Sequence, residues 1–194
     1  MCRACLQEAG VSGSIDCTHL AWERCSFSET TTQQGKEGYT TVVYKAICDH
    51  AGRILASTKG YPGAENDRTV VRRDLSVRRI DKEEPWVSYK YDLCDAYSNE
   101  TEHTGGWLIA DGGYHRQVRL LMCPFKVYAN TEEQQWSKRS ESVGKDIECL
   151  FGRLKKRFRL FNTGVLFLDQ GKIDNAWFIA CIIHNMLLQY DGLD

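Results

Sequence analysis

The sequence lacks the segments that target a protein to a membrane or anchor it there. No basic segment followed by an apolar run comes after Met1, and no uncharged stretch is long enough to cross a bilayer. It also has no phosphate-cradling glycine loop of the Walker type, and no Ser, Cys or His constellation suited to a catalytic nucleophile. These absences predict a soluble, intracellular chain with no membrane partner, and they disfavour covalent-nucleophile mechanisms.

The sequence also lacks a large charge of one sign. Its 25 Lys and Arg nearly balance its 26 Asp and Glu, so the formal net charge is -1. That balance argues against a uniformly basic, histone-like nucleic-acid binder. Charge is nevertheless sorted along the chain, because 81–84 and 100–102 are acidic or mixed whereas a later run is basic. The basic residues of that run are Arg153, Lys155, Lys156, Arg157 and Arg159.

The length and hydrophobic content suit one domain. The chain has 194 residues, and 42% of them are hydrophobic, which is enough for a single buried core. Its nine cysteines are odd in number and scattered, so most of them are expected to be small core residues. Only Cys2 and Cys5 have the spacing of metal ligands. Since no second pair of Cys or His accompanies them, a frayed terminus is favoured over a zinc site.

The first half of the chain predicts three strands in an antiparallel meander. Residues 13–24 contain a candidate buried strand that begins at Ser14 and carries Asp16, and residues 26–38 are interpreted as a loop or hairpin connection. Segments 39–48 and 53–59 are rich in strand-forming residues and are separated by a turn. We assign 1–12 to an N-terminal remnant and 13–191 to one domain.

Two further elements are expected before the second half of the chain. After Pro62 and Gly63, either Asn66 or Asp67 is placed to cap a helix. Its apolar side is predicted to contain Val70, Val71 and Leu75. Residues 76–104 are weakly patterned and are interpreted as an irregular insertion that contains at most one short helix. Residues 107–110 form a compact apolar run that ends at Asp111, Gly112 and Gly113, which is typical of a buried strand that stops at a functional site.

Two long helices are predicted near the end of the chain. Between 132 and 158, one apolar face is formed by Val143, Ile147, Phe151, Leu154 and Phe158, and Glu148 lies beside it. The second helix is predicted to pack through Ile173, Trp177, Ala180, Ile183 and Leu187. Strands followed by helices in this order predict an α/β fold with a mixed sheet flanked by helices.

The predicted strands and helix would bring three acidic residues together. Asp16 and Asp111 would face each other near strand ends if their strands are neighbours, and the helix would bring Glu148 across the gap. Three such carboxylates repel one another unless a cation lies among them, and oxygen ligands suit two Mg²⁺ or Mn²⁺ ions. Each acid also has a simpler interpretation: Asp16 and Asp111 as strand-end caps, and Glu148 as a solvated helix residue.

Four sequence blocks resemble the Harbinger-type DDE superfamily of transposases and their domesticated nuclease relatives. The blocks are Gly13 to His19, Leu108 to Tyr114 followed by Cys123-Pro124, Tyr61 to Thr69, and Ile147 to Arg159, and Cys181 to Met186 resembles the family's closing His-Asn helix. The resemblance implies a ribonuclease-H-like fold in which two strand aspartates and a helical glutamate coordinate metals. It implies DNA cleavage by metal-activated water and, in a full transposase, attack of the freed 3′ hydroxyl on target DNA.

The resemblance also bears on partners and on the remaining polar residues. It implies DNA as substrate, a separate Myb-like DNA-binding partner, a nuclear location and an optional homo-oligomer. The basic run after Glu148 is interpreted as a phosphate-contacting surface, with a solvated helix face as the alternative. Asp67 is either a fourth metal ligand or, slightly favoured, a helix cap. His184 and Asn185 are expected to be a satisfied buried pair, and His115 and Arg116 either reach substrate or lie on a loop surface.

Two alternatives of other kinds stay open at this point. A domesticated DNA-binding or adaptor protein would keep the fold without cleavage, although all three acids are present. A ribonuclease-H-like enzyme acting on RNA is also compatible with the residues, although the resemblance favours DNA. The chain has no helical DNA-binding region ahead of Asp16, so a fragment of a longer transposase is one interpretation.

Overall fold

A mixed β-sheet is the centre of the fold. A computed structural model describes residues 11–84, 86–94, 99–114 and 120–192. The strands in this part of the chain are β1 (Val11–Ala21), β2 (Thr41–Cys48), β3 (Ile54–Ser57), β4 (Tyr61–Pro62), β5 (Lys90–Cys94), β6 (Glu100–Thr104), β7 (Trp107–Ala110) and β8 (Leu121–Met122). The central sheet has the order β3-β2-β1-β7-β8, and β4 also pairs with β2. Strand β1 is antiparallel to β2 and parallel to β7, so the sheet is mixed as predicted.

Helices cover both faces of this sheet. They are α1 (Thr30–Gln33), α2 (Asp67–Arg73), α3 (Leu75–Lys82), α4 (Thr131–Arg157) and α5 (Gln170–Tyr190), with short 3₁₀ helices at Phe27–Glu29 and Arg159–Phe161. Within the described ranges, no helix combines the length and the hydropathy that a bilayer span requires. The predicted α/β class, with a mixed sheet flanked by helices, is therefore confirmed.

The antiparallel meander of β1, β2 and β3 is confirmed. Its second turn is held by the Asp49 carboxylate, which accepts hydrogen bonds from the amides of Ala51 (3.0 Å) and Arg53 (2.8 Å). Gly52 has a φ of +87° there, a conformation that favours glycine. The segment 26–38 is not simply a loop, because it contains a 3₁₀ turn and α1. Local hydroxyl bonds stabilise these short helices, as when Thr30 donates to the Ser26 carbonyl.

The two faces of the sheet have separate hydrophobic clusters. On the α4/α5 face, side chains from β1 and β2 pack with both long helices; the largest are Leu20, Trp22, Tyr44, Leu150, Leu154, Phe161, Ile173 and Trp177. On the α2/α3 face the cluster contains Ile15, Ile47, Val71, Val77, Ile80, Leu108, Tyr114 and Leu121. Strand β2 is buried along its whole length because both clusters cover it.

The region from Asn66 to Thr104 differs from the prediction. The helix is interrupted at Asp74, whose carboxylate accepts from the Ser76 amide and so begins a second helix, α3. Leu75 is exposed for this reason, whereas Val77 and Ile80 of α3 enter the core. The expected irregular insertion also contains the β5–β6 hairpin, which forms its own two-stranded sheet. A short polar hairpin gives only a weak periodic signal, so the sequence did not reveal it.

The two long helices differ in how well their orientation was predicted. On α4, Ile147, Phe151 and Leu154 are buried as expected. On α5, Ile183 is exposed and Leu187 is only half-buried, so the predicted packing face was wrong at its second half. The inward residues there are Cys181, His184 and Leu188. The cause is composition: α5 has no charged side chain between Asp174 and Asp191, so several of its faces are apolar.

The cysteines are less uniformly buried than expected. Cys48 and Cys181 are buried, Cys17, Cys25 and Cys123 are intermediate, and Cys149 is exposed on α4. All of these are free thiols. The paired Cys2 and Cys5 lie outside the described residues, so the zinc question at the terminus stays a prediction.

Candidate active site

Neighbouring parallel strands bring Asp16 and Asp111 together. Ile15 of β1 is paired with Ala110 of β7, and the two aspartates come directly after this pair. Strand β7 ends at Ala110, which leaves Asp111 exposed, whereas β1 continues to Ala21 because β2 pairs with it over that length. Asp16 therefore lies in the middle of a long strand and not near its end, which corrects that part of the prediction.

Helix α4 lies over this pair of strands and contributes Glu148. The Ser14 hydroxyl donates to the Val143 carbonyl (3.4 Å), and the next residue of the helix, Gly144, lies beside Ile109 of β7. Because side chains alternate along a strand, Asp16 lies on the same side of β1 as Ser14 and faces α4. Glu148 is exposed and follows the buried Ile147, so it lies beside the apolar face of the helix, as the sequence predicted.

All three acids line one cleft of about 330 Å³ between the sheet and α4. Its other polar lining residues are Ser140, Glu141 and Lys145. The acids are not packed into one tight cluster: in the described part of the chain, no group of three His, Cys, Asp or Glu side chains is arranged to hold a metal ion. The structure thus brings Asp16 and Asp111 together on the sheet and places Glu148 on the helix wall of the same cleft.

Asp16 is the most strongly perturbed acid of this cleft. Burial, together with the smaller effect of the negative charges of Asp111 and Asp67, raises its pKa from 3.8 to about 6. Hydrogen bonds from the Cys17 backbone and the Tyr114 hydroxyl act in the opposite direction. A half-buried carboxylate beside two other acids is a place where a cation would be stabilised.

Tyr114 is a site residue to which sequence reasoning assigned no role. Its hydroxyl donates to Asp16 Oδ1 at 3.2 Å, and its ring is buried in the α2/α3 face cluster. Burial, together with the neighbouring Cys17 and Asp16, raises the pKa of the phenol well above 10, so it stays protonated and able to donate. The available signal was its position three residues after Asp111, just beyond the two glycines.

The loop after β7 is shaped around the Asp111 carboxylate. The Gly113 amide donates to Asp111 Oδ1 at 2.6 Å, and the Tyr114 amide donates to the Asp111 carbonyl. A Cβ on Gly113 would lie 2.7 Å from the same carboxylate oxygen, so a side chain at this position would displace the Asp111 carboxylate. Arg68 of α2 donates from Nε to the Gly113 carbonyl at 2.7 Å and fixes the loop from outside. His115 and Arg116 lie outside the described residues.

Asp67 is near the site but does not cap its helix. The cap is Asn66, whose Oδ1 accepts from the Thr69 amide at 2.9 Å, so the slightly favoured interpretation of Asp67 was wrong. Asp67 is the first residue of α2, where the helix dipole favours a negative charge. It lies 3.8 Å from the Lys36 ammonium and close enough to Asp16 to raise the pKa of that carboxyl.

The basic run divides into structural and solvent-facing residues. Lys155 donates to the His19 carbonyl at 2.9 Å, and burial lowers its pKa. Arg157 Nη1 lies 3.2 Å from His184 Nδ1. Arg153, Lys156 and Arg159 are exposed, and Arg157 is exposed beyond this contact. The basic residues of this run are therefore not equally available to bind a phosphate backbone.

His184 and Asn185 are a satisfied pair that holds the core, as expected. His184 Nε2 lies 3.0 Å from the Gly52 carbonyl, while its other ring nitrogen faces Arg157. Burial lowers the His184 pKa, which favours the neutral ring that this arrangement requires. The Asn185 amide binds both the N–H and the C=O of Ile54 at 2.9 Å, and so covers the edge strand β3.

A buried ion pair on the other face of the sheet was also missed. Lys45 of β2 contacts Asp74 beneath the sheet, with 0% and 2% of their side chains exposed. Burial lowers the pKa of Lys45 to about 7. The signal was a lysine in the middle of an apolar strand, but its partner is 29 positions away and no local pattern joins the two.

Comparison with known proteins identifies the family. The model of the family described as plant transposon protein matches residues 5–193. "Protein ALP1-like" from Arabidopsis thaliana is 22% identical over 182 residues, which cover 92% of this chain and 43% of that protein. "Putative nuclease HARBI1" from Xenopus laevis is 22% identical over 184 residues, which cover 94% of this chain and 47% of that protein.

These matches cover only part of each relative, so they identify the family and not the activity of the whole protein. The chain spans less than half the length of the curated relatives it matches. No solved structure gives a significant match. The family match covers nearly the whole chain and includes all three acids of the cleft, and the relatives agree with the resemblance seen in the sequence blocks. This chain belongs to the plant transposon protein family.

Proposed function

We propose that this chain is the catalytic domain of a metal-dependent DNA endonuclease of the DDE type, with a ribonuclease-H-like fold. The observation that carries the proposal is the single cleft lined by Asp16, Asp111 and Glu148. Two strand aspartates and one helical glutamate are the set that the family resemblance implies. The name of the HARBI1 relative, which describes a nuclease, supports the same reaction class.

The donor atoms of the cleft suit hard divalent cations by their chemistry, although the three carboxylates are not gathered into one tight cluster. These donors are carboxylate oxygens, which suit Mg²⁺ or Mn²⁺. Burial and, to a smaller extent, the neighbouring acids raise the pKa of Asp16, and a bound cation would stabilise its charged form. Asp16 and Asp111 would hold the metal from the sheet and Glu148 from the helix, with Asp67 as a nearby fourth acid. When bound, two such ions activate water and stabilise the leaving oxygen of a phosphodiester.

The chain's own groups would orient these ligands and the substrate. The Tyr114 hydroxyl restrains Asp16, and the Gly113 amide restrains Asp111. Lys145 lines the cleft near Glu148 and would offset the charge of an approaching phosphate. Among the cations of the basic run, the exposed Arg153, Lys156 and Arg159 are the best candidates for DNA backbone contacts.

The proposal is tested by nicking of supercoiled plasmid with Mg²⁺ or Mn²⁺. Wild-type chain is compared with Asp16→Asn, Asp111→Asn and Glu148→Gln, and EDTA should abolish any cleavage. Glu132→Gln is the matched control, because Glu132 is an exposed acid in the first turn of the same helix, outside the cleft. We expect all three cleft variants to lose at least about 100-fold in rate and the control to keep wild-type activity.

Other outcomes separate this proposal from the alternatives. DNA binding by wild type without metal-dependent cleavage would favour the adaptor function. Faster cleavage of RNA than of DNA would favour the ribonuclease alternative. We propose strand transfer, a nuclear location and a separate Myb-like partner only for a full-length transposase of which this chain would be the catalytic part.

A further inference from the structure

The solvent-facing side of α5 has an apolar surface that the proposed nuclease function does not use. From Asn175 to Tyr190 the helix has no Asp, Glu, Lys or Arg. Its inward side packs on the core through Ile173, Trp177 and Leu188. On the outward side five large side chains are exposed: Ile179 (56%), Ile182 (60%), Ile183 (39%), Met186 (63%) and Tyr190 (88%). We call these five residues the α5 stripe.

The α5 stripe is continuous along the helix. Its members follow one another at spacings of three, one, three and four residues, so they share one face about 100° wide and roughly 16 Å long. A single exposed apolar residue needs no explanation, but a contiguous strip of them marks an interaction surface. Their exposed fractions correspond to on the order of 600 Å² of surface, compared with about 800 Å² per partner in a standard interface.

The composition of the α5 stripe favours a second copy of the same chain as its partner. No charged group lies within the stripe to select a partner of opposite charge. Its midpoint falls between Ile183 and Met186, so two copies related by a two-fold axis would place Ile183 against the partner's Met186, and Ile179 against the partner's Tyr190. Such a contact is isologous, because the same patch is used twice.

The position of α5 leaves room for this contact. Asn185 attaches the helix to the edge strand β3, which β2 separates from the strand that carries Asp16. We propose that the α5 stripe is a homodimer interface, formed by antiparallel packing of two α5 helices. The inference does not rest on the proposed function. Two stripes together bury roughly 1,200 Å², which is at the low end for specific complexes, so a dissociation constant on the order of 10 µM is expected.

Sedimentation equilibrium of the chain from about 1 to 200 µM tests this inference. Wild type should pass from monomer to dimer across this range, and Ile182→Glu should weaken the association at least about 100-fold. Phe27→Glu is the matched control, since Phe27 is also exposed but lies outside the stripe, and it should dimerise like wild type. Circular dichroism melting checks that each variant is folded, and Ile182→Ser replaces the glutamate variant if that one is not.

Two results would overturn the inference. One is a wild-type chain that stays monomeric over the whole concentration range. The other is a dimer that forms equally well in folded Ile182→Glu or Ile182→Ser, because the association would then use another surface.

Discussion

The two long helices pack on the same face of the sheet but have different surfaces. Helix α4 has charged or polar side chains on most of its outward positions, and Glu148 and Lys145 among them enter the acidic cleft. Helix α5 has none of these charges over sixteen residues, and its outward face is the α5 stripe. The difference agrees with the two proposals, a charged ligand beside α4 and a second apolar surface against α5.

The largest effect is expected from the inward face of α5. Trp177 is fully buried, stacks on Tyr44 with ring centroids 4.7 Å apart, and donates from Nε1 to Ser57 at 2.7 Å. Trp177→Ala should lower the free energy of unfolding by about 3–5 kcal/mol, because it leaves a cavity and an unpaired hydroxyl. Urea denaturation measures this loss. A loss below about 1 kcal/mol would mean that α5 does not pack through this face.

A smaller effect, of opposite sign, is expected in the cleft beside α4. The pKa of Asp16 is about 6 in the folded chain against an ordinary 3.8, so the folded state binds its proton more tightly than the unfolded state. The tighter proton binding by Asp16 in the folded chain contributes to the free energy of unfolding below about pH 4, and this contribution is lost as the pH rises through 6. Asp16→Asn should therefore stabilise the metal-free protein at pH 7 by up to about 3 kcal/mol, with little change at pH 4.

Thermal melting in EDTA over this pH range checks the Asp16 prediction. Glu132→Gln is again the control, because this acid lies outside the cleft and should show no such pH-dependent gain. Equal stability of Asp16→Asn and wild type at pH 7 would contradict the account, because it would mean that burial does not destabilise the charged Asp16 side chain.

Removal of the Tyr114 hydroxyl should have a moderate effect on metal binding. Tyr114→Phe keeps the buried ring but loses the hydrogen bond to Asp16, so Mn²⁺ should bind several-fold more weakly, corresponding to about 1 kcal/mol. Electron paramagnetic resonance titration with Mn²⁺ measures this change. The thermal stability of the metal-free variant should stay close to wild type. An unchanged Mn²⁺ affinity would show that the tyrosine only fills the core.

The smallest effect is expected on the outward face of α5. In a chain kept near 1 µM, where the monomer dominates, Ile183→Ala should cost less than about 1 kcal/mol of stability. If Ile183 instead packed in the core, as its sequence spacing predicted, the same substitution would cost about 2–5 kcal/mol. Urea denaturation of Ile183→Ala beside Trp177→Ala compares the two faces of one helix directly.

The sequence predicted the elements whose signal is local. Strand β7 was recognisable from its apolar run and its Asp-Gly-Gly ending, and α4 from the spacing of Ile147, Phe151 and Leu154. The order of strands and helices was sufficient for the α/β class. The three acids were found through their sequence contexts, although singly each had a simpler interpretation.

The features that the sequence did not reveal depend on distant partners or on ambiguous patterns. The Lys45–Asp74 ion pair and the Tyr114–Asp16 hydrogen bond join residues that no local spacing connects. The sequence did not reveal which face of α5 packs inward, because this helix has apolar residues on several of its faces. The middle position of Asp16 depends on how far β2 accompanies β1, which only the register of the sheet shows.

The most direct test of the central claim is a count of Mn²⁺ ions bound by the chain at pH 7, measured by electron paramagnetic resonance. The account predicts two ions in wild type, loss of both in Asp16→Asn, and weakened binding in Asp111→Asn and Glu148→Gln, with Glu132→Gln unchanged. Wild-type Mn²⁺ binding in all three cleft variants would contradict it, because the metal would then be held by residues outside the cleft.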